Sequence, residues 1–294
     1  MKLFNIQKII DFVRNYLDYV DKTKVKIYYI GKAKHHNAGD MLNEHIMNYF
    51  NIKFKKVRAT NANLFCVGSI LNSIVVSPSK KNQMNKECNI IGAGLSEIPQ
   101  EIEVLAKKMN IYALRGNLTK EILERLSQTK ISCTLADPGL LLSHIYPCDN
   151  KDKIYKVGII PHFEDKGDFL LNNIQLEKYS WKIIDIEADI EKFVQDINSC
   201  ECILSSSLHG LIFSDSFNIP NRQIILSKRK GLFKYQDYYS SYDLELLHIY
   251  DLNSEIITDA EIDTILNEYV IKKCDVKNKQ QSLIKAFEDY KQAL

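Results

Sequence analysis

Short apolar runs alternate with longer amphipathic stretches along most of the chain. The runs Val25-Lys-Ile-Tyr-Tyr-Ile30 and Tyr155-Lys-Val-Gly-Ile-Ile160 are typical, and both are too short to indicate helices. Apolar strands of this kind form parallel sheets that helices cover on both faces, so the pattern predicts the α/β class. The predicted strands cover residues 25–30, 63–68, 89–92, 110–114, 155–160, 181–186, 202–204 and 223–226; the predicted helices cover residues 6–20, 40–50, 98–109, 117–127 and 188–199, with one more after residue 204.

One polar segment interrupts this alternation. Tyr146-Pro-Cys-Asp-Asn-Lys-Asp-Lys153 is charged and contains proline, which is typical of a linker, and the strand and helix pattern starts again after it. The chain of 294 residues is long enough for two domains of about 150 residues. We therefore predict two Rossmann-like domains with parallel sheets, which comprise residues 1–148 and 149–294.

Composition excludes several classes of protein. Apolar residues make up 45% and charged residues 26%, as in globular proteins, and a net charge of +2 is too small to indicate nucleic-acid binding. No apolar run reaches the roughly 20 residues that cross a bilayer, and the charged N-terminus does not resemble a signal peptide, so we expect a cytoplasmic protein. The predicted helix 6–20 either packs on its domain or lies on a membrane surface.

The seven cysteines lack the spacing of metal ligands. We expect them to be buried thiols in a reducing compartment, and we predict no metal and no cofactor.

Polar residues and glycines follow the predicted strands at their carboxyl ends, where ligands bind in open α/β sheets. We expect these residues to converge on one cleft: Asn37, Asp40, Gly68, Gly94, Arg115, Asp137, His162 and Ser205 to His209.

The most informative of these strand ends is Ser205-Ser-Ser-Leu-His-Gly210. A strand that ends in hydroxyl groups and continues as a helix presents free backbone N–H groups, which favour a phosphate or a carboxylate. His209 stands where a proton donor or acceptor for that anion is needed. The junction predicts anion binding together with acid–base chemistry.

Two cationic residues are further candidates. Arg115 directly follows a strand and precedes a glycine, a position from which its guanidinium can grip a carboxylate or phosphate; a surface salt bridge is the alternative. Lys234 lies in a segment, residues 228–240, that is rich in lysine and tyrosine. We predict that this segment closes over the cleft, with an ordinary solvated surface as the alternative.

The motifs together resemble the polysaccharide pyruvyltransferase family, in particular its bacterial branch that places pyruvate ketals on exopolysaccharide and capsule sugars. The motifs that carry the resemblance follow the family's order: Asn37-Ala-Gly-Asp40, Gly68-Ser-Ile-Leu71, Ile91-Gly-Ala-Gly94, Leu114-Arg-Gly-Asn-Leu-Thr119, Ala136-Asp-Pro-Gly139, Ile160-Pro-His162, Ser205-Ser-Ser-Leu-His-Gly210 and Phe233-Lys-Tyr-Gln-Asp237.

The resemblance implies a fold like that of GT-B glycosyltransferases, phosphoenolpyruvate as the donor and no metal. It implies a sugar acceptor carried on a polyprenyl pyrophosphate, and hence peripheral contact with the inner face of the membrane. His209 and Arg115 would be the catalytic residues. The donor would be bound by Ser205, Ser206, Ser207, Leu208, Gly210, His162 and Lys234, and the acceptor or the cleft would involve Asn37, Asp40, Gly68, Ser69, Gly94, Asp137 and Asp237.

Two other functions fit the same architecture, because a fold does not fix a function. One is a GT-B glycosyltransferase that uses a nucleotide sugar, which nucleotides would stabilise. The other is a non-catalytic sugar-binding assembly protein, for which His209 would be dispensable.

Overall fold

The structure, a computed structural model, describes residues 23–31, 37–75, 87–99, 108–148, 152–167, 180–226 and 231–294. The predicted helix 6–20 and most of the predicted helix 98–109 lie outside these ranges.

The first half of the chain forms a sheet of six strands in the order β2-β1-β3-β4-β5-β6, and every strand pair is parallel. The strands are β1 (Val25–Tyr28), β2 (Phe54–Lys56), β3 (Leu64–Phe65), β4 (Glu87–Ile91), β5 (Lys108–Leu114) and β6 (Thr134–Leu135).

The second half forms a five-stranded parallel sheet in the order β11-β10-β9-β7-β8. Its strands are β7 (Tyr155–Ile160), β8 (Trp181–Ile183), β9 (Cys200–Ser205), β10 (Asn221–Ile225) and β11 (Tyr250–Asp251). Eight α-helices occur in the described residues: α1 (Ala38–Tyr49), α2 (Asn117–Ser127), α3 (Leu142–Ile145), α4 (Ile190–Asn198), α5 (Leu208–Ser216), α6 (Phe233–Ser240), α7 (Asp259–Asn267) and α8 (Lys273–Gln292).

Both sheets reverse their strand order at one internal point. The reversal lies between β1 and β3 in the first sheet and between β7 and β9 in the second, the doubly wound order in which ligands bind at the reversal. The predicted fold class, two Rossmann-like parallel sheets in a GT-B-like arrangement, is confirmed.

The last helix returns to the first sheet. Phe287 of α8 stacks on Phe50 with ring centroids 4.6 Å apart, and Lys279 Nζ donates to the carbonyl of Leu135 at 2.8 Å. The division of the chain after residue 148 stays a prediction. Helix α8 belongs to the second half by its position in the sequence, but it packs on the first half.

The prediction that residues 228–240 close over the cleft is wrong for residues 233–240. This stretch is helix α6, and Tyr235, Tyr238 and Tyr239 on it are buried. These three rings are part of the core, so the helix cannot open without exposing them. Residues 227–230 lie outside the described ranges.

None of the helices in the described part of the chain is long and apolar enough to span a membrane.

Candidate functional site

The two points of strand reversal face each other across one cavity of about 160 Å³. Residues after β1 and β3 form one wall, and residues after β7 and β9 form the other. Nine predicted site residues line it: Asn37, Asp40, Gly68, Ser69, His162, Ser207, Leu208, His209 and Lys234. The cavity thus lies where the doubly wound rule places a ligand in each sheet.

Helix α5 begins at this cavity. Its N-cap residue Ser207 makes no capping hydrogen bond with its side chain, and Ser207, Leu208 and His209 all line the cavity. The first N–H groups of a helix have no acceptor within the helix, and they carry its partial positive charge. The start of α5 is therefore suited to hold a phosphate or a carboxylate.

The imidazole of His209 lies against the other half of the chain. Its ring stacks on Phe213 with centroids 5.6 Å apart, and a Cβ on Gly39 would lie 1.9 Å from His209 Nδ1. Only glycine at position 39 lets the ring approach the first turn of α1 so closely. The Asn37-Ala-Gly-Asp40 motif thus helps to set the position of the histidine.

Burial, together with the nearby positive charges of Lys234, Arg115 and His162, lowers the pKa of His209 to about 3. The side chain is consequently a neutral imidazole near pH 7. A neutral imidazole can accept a proton, so the side chain is a candidate general base and not the acid that the sequence also allowed, and the negative charge of a bound anion would raise its pKa toward the range in which a base is effective.

The pKa of Asp40 shifts in the opposite direction. Burial raises the pKa of its carboxyl to about 7, although the positive charge of Lys56 acts the other way. A substantial fraction of Asp40 is therefore protonated near neutral pH. Neighbouring groups whose pKa values shift in opposite directions are typical of a catalytic acid and base. Asp40 and His209 are such a pair, because they line the same cavity.

Ser206 ties together the loops around the cavity. Its Oγ donates to Asp165 Oδ2 at 2.7 Å and accepts from the backbone N–H of His162 at 2.9 Å. The hydroxyl of Tyr235 on α6 donates to the Ser206 carbonyl at 2.8 Å. These bonds fix the loops after β7 and β9 relative to α6.

Ser205 and Gly210 lie behind the cavity wall. Ser205 Oγ donates to the Ile160 carbonyl at 2.7 Å and accepts from Ser207 N–H at 3.0 Å, and the residue is fully buried. A Cβ on Gly210 would lie 2.2 Å from Ser205 Oγ. Both residues shape the turn from β9 into α5, and direct contact with a donor stays a prediction for them.

Arg115 is also fully buried, and other groups of the protein occupy its guanidinium. Nε donates to Asp237 Oδ2 at 2.8 Å, one Nη donates to Ser69 Oγ at 2.6 Å and the other to the Leu95 carbonyl. Gly94 lies directly beneath, because a Cβ there would be 2.4 Å from Arg115 Cζ. The arginine reaches the cavity only through Ser69, which lines it.

Asp237 of α6 also caps helix α2. The N-cap of α2 is Gly116, which has no side chain; Asp237 Oδ1 instead accepts from Thr119 N–H at 2.7 Å, and Ser240 Oγ accepts from Asn117 N–H at 2.9 Å. The capping hydrogen bonds and the ion pair with Arg115 hold α6 of the second half against the first half.

Asp137 is buried outside the cavity. Its Oδ1 accepts from Gly139 N–H at 2.8 Å and so caps the short 3-10 helix Pro138–Leu141. Burial raises the pKa of Asp137 to about 6. The structure thus gives Asp137 a role in the turn after β6, and its contact with an acceptor stays a prediction.

A second cavity of about 430 Å³ adjoins the first, and His162 and Lys234 line both. Its wall includes Ser206, Glu97 and Gln223, of which the last two were not singled out from the sequence. The sequence did contain a signal that Gln223 has a functional role. β10 lies between two other strands and begins with three polar residues, Asn221-Arg-Gln223, where an inner parallel strand is normally apolar.

Among the residues that the structure describes, no group of His, Cys, Asp or Glu side chains has the arrangement of a metal site.

Comparisons with known proteins found one family and two relatives of this chain. The family described as polysaccharide pyruvyl transferase matches residues 2–227. The uncharacterized protein L143 of Acanthamoeba polyphaga mimivirus is 29% identical over 237 residues, which cover 76% of each chain. The succinoglycan biosynthesis protein ExoV of Rhizobium meliloti is 25% identical over 212 residues, which cover 71% of this chain and 63% of ExoV.

Proposed function

The chain belongs to the polysaccharide pyruvyl transferase family, and we propose that it moves the pyruvyl group of phosphoenolpyruvate onto two hydroxyls of one sugar, forming a cyclic ketal. The acceptor is a precursor of a surface polysaccharide. One observation carries the proposal: the smaller cavity combines an anion site at the start of α5 with a neutral histidine and a carboxyl of raised pKa.

The donor fits the charge and size of this cavity. Phosphoenolpyruvate carries a carboxylate and a phosphate, about three negative charges near neutral pH. Lys234 and the first N–H groups of α5 offer the complementary positive potential. A volume of about 160 Å³ suits a compact anion, whereas drug-sized ligands typically occupy pockets of about 300–1,000 Å³.

We assign the proton transfers to Asp40 and His209. The carboxyl of Asp40 protonates the methylene carbon of the donor, which makes the neighbouring carbon electrophilic. His209 accepts the proton of the first sugar hydroxyl as its oxygen attacks that carbon. The positive groups around the cavity stabilise the charge on the donor oxygens.

Phosphate then leaves and a second hydroxyl of the same sugar closes the ring. Of the two hydroxyl protons lost by the sugar, one balances the proton delivered to the methyl group and the other leaves with phosphate. Asp40 and His209 end the cycle in their starting protonation states, and the reaction needs no oxidant and no metal ion.

Arg115 supports this site from behind. Its bonds to Asp237 and Ser69 hold one cavity-lining hydroxyl and keep the two halves together. We propose that it positions the site without touching the donor.

We further propose that the acceptor is linked to a polyprenyl pyrophosphate, in keeping with the family, and that the enzyme works at the inner face of the membrane.

Phosphate release from phosphoenolpyruvate tests the proposed function. The purified protein is incubated with phosphoenolpyruvate and lipid-linked oligosaccharides, with and without EDTA, and the products are examined by mass spectrometry. We expect acceptor-dependent phosphate release, a product heavier by one pyruvyl ketal, and no effect of EDTA. Stabilisation by nucleotide sugars with no such product would instead support a glycosyltransferase.

Asp40→Asn should abolish the fall in turnover at alkaline pH. In the wild-type protein we expect turnover to decrease above pH 7 as Asp40 loses its proton; the amide variant should be slower by about 100-fold or more and should lack this limb. pH–rate profiles from pH 5 to 9 measure both effects.

The same substitution should change the stability of the protein in a direction that depends on pH. The folded pKa of Asp40 is raised, so its stabilising contribution is present below the unfolded pKa and is lost as pH rises through about 7. The difference in Tm between Asp40→Asn and the wild type should therefore shift in favour of the variant as the pH rises from 4 to 8. Glu288→Gln, at an exposed carboxylate on α8, is the control. Parallel Tm curves for Asp40→Asn and wild type would contradict the assignment.

A further inference from the structure

The larger cavity has a different chemical character from the smaller one. Three of its side chains, Glu97, Asp165 and Gln223, bring carboxylate or amide oxygens, whereas Lys234 and His162 lie at the boundary with the smaller cavity. Oxygen acceptors attract hydroxyl donors and repel phosphates. The end away from the boundary is thus suited to a neutral polyol and poorly suited to a nucleotide diphosphate.

Gln223 is the most specific of these groups. The residue is 4% exposed, lies opposite Ser205 in the sheet and lines the cavity. Its Oε1 is buried and has no hydrogen-bond partner within the described part of the chain. A buried amide oxygen without a partner is costly. Rotation of the amide by about 180° exchanges its oxygen and its NH₂ group, and a sugar hydroxyl in the cavity can pair with whichever of the two faces it, because a hydroxyl both donates and accepts.

An apolar wall completes the cavity. Leu232 and Phe233 at the start of α6 line it together with Ile224 and Leu226, and Phe233 is partly exposed. Sugar rings present apolar C–H faces that pack on such a wall, while their hydroxyls reach the polar side. The volume of about 430 Å³ is in the usual range for a ligand of one or two rings.

We infer that the larger cavity binds the acceptor sugar, an uncharged pyranose with a hydroxyl on Gln223 and its ring against the apolar wall. This assignment rests on the proposed function, since it places the two reacting hydroxyls at the boundary formed by His162 and Lys234. The donor lies on the other side of that boundary.

Direct binding of sugars separates this inference from the proposed reaction. Methyl β-D-glucopyranoside, methyl β-D-galactopyranoside and UDP are tested by saturation-transfer difference NMR, with phosphoenolpyruvate binding measured separately by calorimetry. We expect at least one pyranoside to bind the wild-type protein. Gln223→Met should weaken that binding about 5- to 10-fold, the effect of one hydrogen bond, with phosphoenolpyruvate binding unchanged.

Two controls keep the test decisive. Gln236→Met changes an exposed glutamine on α6 and should leave sugar binding as in the wild type. Glu97→Ala, at an exposed position of the cavity rim, should weaken sugar binding even if Gln223→Met fails to fold.

Three results would overturn the inference: no pyranoside binds, UDP binds in place of the sugars, or neither Gln223→Met nor Glu97→Ala weakens sugar binding. Failure of the proposed function has another signature, since phosphoenolpyruvate would then neither bind nor release phosphate, whatever the sugars do.

Discussion

His209→Gln is expected to lower turnover about 100- to 10,000-fold in a protein that remains folded, because the variant loses its general base. Glutamine is neutral, and so is the wild-type imidazole near pH 7, so the substitution does not change the charge of the cavity. Steady-state kinetics with saturating phosphoenolpyruvate measure the effect, and circular dichroism checks the fold. Donor binding by calorimetry should change far less than turnover.

His248→Gln is the matched control, since that histidine is exposed and lies outside both cavities. Gly39→Ala provides a second route to the same conclusion. Its methyl group would overlap the His209 ring and displace it, although alanine by itself favours a helix. Turnover of His209→Gln within a few-fold of the wild type would assign the base to another residue, and His162 would be examined next.

Arg115→Ala is expected to lower the free energy of unfolding by about 3–5 kcal/mol, because it leaves the Asp237 carboxylate buried without its ion-pair partner. Denaturant unfolding measures this loss. The double variant Arg115→Ala/Asp237→Ala should lose less than the sum of the single variants, with a coupling of about 1–3 kcal/mol. Arg125→Ala, at an exposed arginine on α2, is the control.

The same variants distinguish a supporting role of Arg115 from direct contact with the donor. If Arg115→Lys weakened phosphoenolpyruvate binding while the stability of the protein stayed unchanged, the guanidinium would touch the donor as the sequence first suggested. A supporting role instead predicts that donor affinity and stability fall together.

Much of the fold was predictable because its signals are local. Strands β5 and β7 and helix α2 lie within two residues of their predicted bounds, since a short apolar run or an amphipathic period needs no distant partner to be recognised. Three short strands at or near the edges of the sheets were not predicted. β2, β6 and β11 have only two or three residues each, and they depend on their neighbours in the sheet.

The residues of the smaller cavity were predictable for a related reason. In a parallel sheet all carboxyl ends lie at one edge, so polar residues after several strands must gather there. The Ser205–Gly210 and Asn37–Asp40 motifs were found in this way. That rule places residues near a cleft, however, and does not tell which of them face it.

The sequence by itself thus determined the fold class, the family and the edge of each sheet where a site forms, because these depend on local periodicity and on strand polarity. The tertiary structure alone decided which side chains line the site and in which protonation state. Arg115 meets Asp237 from 122 positions away, a partner that no local pattern indicates. The pKa values of His209 and Asp40 move in opposite directions chiefly because desolvation penalises the charged form of each, and the surroundings that desolvate them arise only in the folded chain.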